Sequence, residues 1–80
     1  EGKVVGFYES GEVEWEVNFV DGKKEGKGVK YYKSGEVEWE GNFVDGKREG
    51  KSVEYDEEGN IIDEDIWKDG ECIEMCEGDE

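Results

Sequence analysis

Apolar residues fall on odd positions along most of the chain and charged residues on even ones. Val5, Phe7, Val13, Trp15, Val17, Phe19, Val29, Tyr31, Val37, Trp39, Phe43, Val53, Tyr55, Ile61, Trp67, Ile73 and Met75 hold the odd set. Glu12, Glu14, Glu16, Asn18, Lys30, Glu36, Glu38, Glu40 and Asn42 hold the even set. Period-2 alternation predicts β-strands with one buried and one wet face. A helix would scatter the Glu-x-Glu-x-Glu triplets around its cylinder.

The alternation is written in repeated units. Ser10 to Gly22 reads SGEVEWEVNFVDG, and Ser34 to Gly46 repeats it with one change, Val17 against Gly41. A fixed period marks an architecture in which each unit buries its apolar side against its neighbours. A third copy is worn: Tyr55, Gly59, Ile61, Trp67, Asp69 and Gly70 keep the spacing, while Asp63 stands where Trp39 stood. The repeats run over about 1–24, 25–48 and 49–72, followed by an acidic cap at 73–80. Worn last repeats cap solenoids, so the chain reads as the C-terminal end of a longer array.

Turn chemistry supplies the connections. For odd residues to meet odd residues across an antiparallel pair, paired numbers must sum to an even value, which excludes two-residue loops. A three-residue loop at Lys33-Ser34-Gly35 satisfies the rule, with Gly35 left-handed in a type I turn plus bulge. It places Tyr31 opposite Val37, Val29 opposite Trp39, and Lys30 opposite Glu38 on the wet face. Gly11 and Gly59 take the same role. The second connection, Asp45-Gly-Lys-Arg-Glu49, is longer and equally turn-like. The expected fold is all-β: a single-layer antiparallel meander of hairpin repeats, with about six or seven short strands. Its apolar face, with Trp15 and Trp39 in the core, must be covered by curling or self-association.

Composition supports sheet over helix. The chain of 80 residues has no Leu or Ala, and its apolar residues are mainly Val, Ile and aromatics, which suit a pleated surface. No apolar run reaches the length of a membrane helix. The net charge of −15 is uneven. Residues 1–53 carry twelve acids and nine bases, whereas residues 54–80 carry thirteen acids and one base, Lys68. Such an end repels nucleic acid and anionic lipid. It reads as a solubilising terminus, as a surface for a basic protein, or as a weak cation binder.

Specific chemistry is sparse. Cys72 and Cys76 on a strand would sit about 13 Å apart, too far for a disulfide, so two free thiols in a capping segment are expected, which fits a cytoplasmic setting; a disulfide, for which a helical turn would bring them close, and a crosslink to another chain are the alternatives. The acidic stretches at 56–60 and 63–69 lack the ligand spacing of a calcium loop. Asp63 on the apolar parity means either a bulge that brings Ile62 and Ile66 inward or a place at the uncovered end of the sheet, and parity favours the bulge. Tyr8 and Tyr32 have even parity, so they would be exposed beside Glu12 and Glu36. With the acids Asp56, Glu57, Glu58 and Glu64, they are the candidate partner contacts. No catalytic group, cofactor or metal site is expected.

The blocks Tyr31-Tyr-Lys-Ser-Gly35, Asn42-Phe-Val-Asp-Gly46 and Asp45-Gly-Lys-Arg-Glu-Gly-Lys51 resemble the bacterial variant of the MORN repeat across nearly the whole chain. The resemblance implies antiparallel hairpins stacked into an elongated twisted sheet. Some relatives are described as toxin–antitoxin antitoxin components, others as phosphatidylinositol phosphate kinases through repeats that flank a kinase domain. This chain has no His and no phosphate-binding loop with its lysine, so no kinase activity is expected. The expected function is a non-catalytic protein-binding or scaffolding module, antitoxin-like in one form, with a basic partner. A membrane-lipid adaptor is the alternative, against which stands the absence of a Lys/Arg cluster.

Overall fold

A computed structural model describes residues 2–75. They form one open antiparallel sheet. Its strands are β1 (Gly2–Phe7), β2 (Val13–Val20), β3 (Lys23–Tyr31), β4 (Val37–Val44), β5 (Lys47–Arg48), β6 (Gly50–Tyr55), β7 (Ile61–Lys68) and β8 (Glu71–Glu74). Their spatial order follows the chain, β1-β2-β3-β4-β6-β7-β8, with β5 also on β4. The sheet measures 35 × 35 × 17 Å. It is the expected meander of hairpins, with no second layer.

Two kinds of turn alternate. The three-residue loops are as expected: Gly35 N–H donates to Tyr32 O, Tyr32 N–H donates to Glu36 O, and Gly35 has φ +98°. The other connection is shorter than expected. Val20 pairs with Lys23, Val44 with Lys47 and Lys68 with Glu71, leaving two-residue loops at Asp21-Gly22, Asp45-Gly46 and Asp69-Gly70. Both residues of each have positive φ, from 54° to 87°, the geometry of a type I′ turn. The even-sum rule had excluded such loops. It failed because the strands do not keep parity.

A bulge in every repeat breaks that parity. Tyr31 faces Val37, as expected, but Lys30 then faces Trp39 and Val29 faces Glu40, so Glu38 is the extra residue. Glu14 and Ile62 are extra at the equivalent places. At such a bulge two residues oppose one; Lys30 accordingly still reaches Glu38 at 3.6 Å. Past the bulge, one face collects odd residues from β2, β4 and β7 and even residues from β1, β3 and β6. This face carries Val4, Trp15, Val17, Phe19, Trp39, Phe43 and Trp67. The opposite face carries Val5, Val29, Tyr31, Val53 and Tyr55 among Lys and Glu. Apolar residues therefore occupy both faces, and the picture of one dry and one wet face is corrected. The bulge at Ile62 is common to all three repeats, and it leaves Ile62 exposed while Ile66 stands on the face opposite the tryptophans.

The core is small and lies at the centre of the Trp face. Val17 is 6% exposed, Phe43 9% and Ser52 3%. Rings lie on glycines here: a Cβ on Gly28 would come within 2.9 Å of Phe43, and one on Gly41 within 2.6 Å of Trp39. Trp39 is half-buried and Trp15 is 36% exposed, so neither tryptophan is the enclosed core residue that parity implied.

Candidate functional site

Three surfaces can meet a partner: the Lys–Glu–Tyr face, the Trp face and the acidic third repeat. The first is a ladder. Lys3 lies 3.0 Å from Glu16, Lys27 3.4 Å from Glu40 and Lys51 3.8 Å from Glu64. Tyr31 Oη donates to Glu16 and Tyr55 Oη to Glu40, each at 2.5 Å. Each of these two carboxylates thus joins a lysine of the strand before it to a tyrosine of the next repeat. The Tyr31 hydrogen bond, then Lys3, holds the Glu16 pKa below the usual carboxylate range. Tyr55 does most to lower that of Glu40, and the same bonds raise the pKa of both phenols. A carboxylate favoured in its charged form and a phenol in its neutral form is a structural pairing, with no group poised to move a proton.

Further contacts tie repeats at their turns. Glu25 accepts from Asp45 N–H at 2.8 Å and Glu49 from Asp69 N–H at 3.0 Å. Gly46 N–H donates to Lys24 O, and Gly70 N–H to Arg48 O. Tyr8 Oη donates to Tyr31 O at 2.6 Å and Tyr32 Oη to Tyr55 O at 2.7 Å. The Asp-Gly pair, the Glu three residues beyond it and the Tyr-Tyr pair are therefore the joints between units.

The joints recur with the 24-residue period of the sequence. The model of the MORN repeat matches residues 18–37 and 39–60, more than half of the chain. The chain belongs to the MORN-repeat family. No curated protein and no solved structure matches it. MORN repeats form non-catalytic modules of the kind that binds protein or membrane.

Within this MORN sheet the candidate contact residues separate. Tyr8 and Tyr32 are half-buried joints rather than free aromatics; Lys33 Nζ lies 5.7 Å from the Tyr8 ring centre. Desolvation, then the carboxylates of Glu38, Glu57, Glu54 and Asp56, raises the Tyr32 pKa. Tyr32, Asp56 and Glu57 are thus neighbours, while Tyr8 lies one repeat away and Glu64 belongs to the ladder. Asp56 stands where Tyr8 and Tyr32 stand in the earlier units. Its carboxylate accepts from Glu58 N–H and Asn60 N–H, both at 2.9 Å, and these bonds lower its pKa. It closes its own turn. Glu57 and Glu58 are exposed at that tip.

Parity concealed the cations of the Trp face. Arg48 places its guanidinium 4.9 Å from the Trp39 ring centre and 4.7 Å from that of Trp67. Lys24 Nζ is 5.1 Å from Phe43, and Trp67 Nε1 donates to Ser52 Oγ at 2.9 Å. The 24-residue spacing of Lys24 and Arg48 was visible in the sequence, but only the register sets them over rings. With Trp15, Val17, Phe19 and Lys30 they line a shallow groove of about 340 Å³. Among the described residues, no group of three or more His, Cys, Asp or Glu could hold a metal ion.

Cys72 is disulfide-bonded, which corrects the expectation of a free thiol. The strand that holds Cys72 ends at Glu74. Cys76 lies outside the described residues.

Proposed function

We propose that this MORN module is a non-catalytic protein-binding unit whose third repeat engages a basic surface of its partner. The observation that carries the reading is the split in charge. The first two repeats match their lysines to glutamates along the ladder, whereas residues 54–80 set thirteen acids against Lys68 alone. An acidic surface steers a basic partner and raises its rate of encounter. Glu57, Glu58 and Glu71 are exposed and lie outside the joints described above.

The test immobilises the chain and challenges it with soluble protein from its native source at low and moderate salt. Basic proteins are expected to be retained and released as salt rises, because salt screens attraction between exposed charges more than about 10 Å apart at 0.1 M. Retention should fall when Glu57, Glu58 and Glu71 are changed to Gln together. Retention unchanged by both salt and substitution rejects the reading. Flotation with anionic lipid vesicles separates it from the membrane-adaptor alternative, since firm association at physiological salt would favour the membrane.

A further inference from the structure

The three repeats treat the two faces of the sheet differently. On the ladder face the pairs Lys3–Glu16, Lys27–Glu40 and Lys51–Glu64 persist from first repeat to last. On the Trp face the third repeat reverses the charge. Lys30, which faces Trp39, becomes Glu54; Trp39 becomes Asp63; and Gly41 becomes Asp65. The cation of Lys24 and Arg48 has Cys72 as its equivalent. One half of this face is thus aromatic and cationic, built on β2 to β5, and the other half, built on β6 and β7, carries three carboxylates beside Trp67, onto which Arg48 reaches.

We infer that the Trp face is the interface of a two-fold symmetric dimer of this chain. A surface with cations on one half and carboxylates on the other is complementary to its own copy after a half-turn, which is the requirement for an isologous contact. The axis runs parallel to the strands, between the two sheets and beneath the boundary of β4 and β6. This rotation lays β3 of one protomer over β7 of its partner and keeps positions along the strand. Lys30, Trp39, Glu54 and Asp63 form one cross-sheet row, so Lys30 comes over Asp63 of the partner, twice in each dimer. The same operation lays Trp39 over Glu54 of the partner and closes the middle of the groove against the acidic repeat.

Area agrees with this occupant. A stable interface needs roughly 800 Å² from each partner, and the 35 × 35 Å sheet supplies such a face. Packed about 10 Å apart, two such layers form an ordinary sandwich. The dimer leaves Glu57, Glu58 and Glu71 at the edges, so it is independent of the partner reading above.

Sedimentation equilibrium of the intact chain tests the proposal. A monomer–dimer equilibrium is expected, weakening as salt rises, with the dimer dominant at low salt and high protein concentration. Asp63→Lys should raise the dissociation constant by about tenfold or more, since like charges then meet twice. Lys30→Glu combined with Asp63→Lys should restore association, because the pair is exchanged within one chain. Circular dichroism confirms that each variant is folded, and acrylamide quenching reports whether tryptophan becomes protected on association. A chain monomeric at every concentration, a dimer indifferent to Asp63→Lys, or a ladder of higher oligomers in place of a closed dimer would each overturn the inference. Failure of the double exchange to recover association while the fold is intact would do the same.

Discussion

The first and second repeats differ at one position over thirteen residues, Val17 against Gly41, and the difference shows how this sheet places its tryptophans. In the first repeat Trp15 lies across Gly6 of the neighbouring strand; a Cβ there would come within 2.3 Å of the indole. The position two residues beyond Trp15 is then open, and Val17 fills it against Gly28 and Phe43. In the second repeat the cross-strand residue is Lys30, which offers no such floor. Trp39 lies over Gly41 of its own strand instead, where a Cβ would meet its ring at 2.6 Å and Ser52 at 3.2 Å. Trp15 and Trp39 each lie on one glycine, and the two repeats supply it from different strands. The third repeat has Glu54, Asp63 and Asp65 at these places, with neither tryptophan nor glycine.

The largest effect expected from breaking this comparison is at Phe43, the ring on which both solutions converge. Phe43→Ala should cost about 3–5 kcal/mol, as for other buried aromatics, enough to unfold a domain of marginal stability. Phe19→Ala, at the half-buried equivalent, should cost clearly less. Equal losses by urea titration would mean that the two repeats share one core equally.

Gly41→Val writes the first repeat's residue into the second. It drives Cβ into Trp39 and should cost about 1–3 kcal/mol, the range for overpacking. Adding Lys30→Gly rebuilds the floor that Trp15 uses and should recover part of that loss. A double variant no more stable than Gly41→Val shows that the two tryptophan arrangements are not exchangeable.

A smaller effect is expected from the ladder. Glu16 and Glu40 have lowered pKa values, so their contribution is present above the unfolded value of about 4.3 and is lost as pH falls through the folded value. Tyr31 and Tyr55 have raised values, so theirs is present below about pH 10 and is lost as pH rises through the folded value. Tyr55→Phe should therefore lower Tm by a few degrees near neutral pH, and the gap should narrow towards both extremes. A gap that is constant from acid to alkali would show that the phenol packs but does not bond the carboxylate.

Much of this was legible in the sequence. Period 24, alternation and the glycine of the three-residue turn were enough for hairpins in chain order, because each is a local property of the backbone. The face of each residue was not legible. A single extra residue at Glu14, Glu38 or Ile62 inverts every side chain beyond it, and nothing in the local composition marks a bulge there. Tyr8 and Tyr32 were misplaced for a related reason: their hydroxyls reach carbonyls 23 residues away, and only the stacked sheet brings those into range. The sequence by itself therefore determined the class, the order of strands and the imbalance of charge, since these follow from local pattern and counting. The tertiary structure alone decided which charges share a face with which rings, because that depends on register, and register is set by pairing between strands.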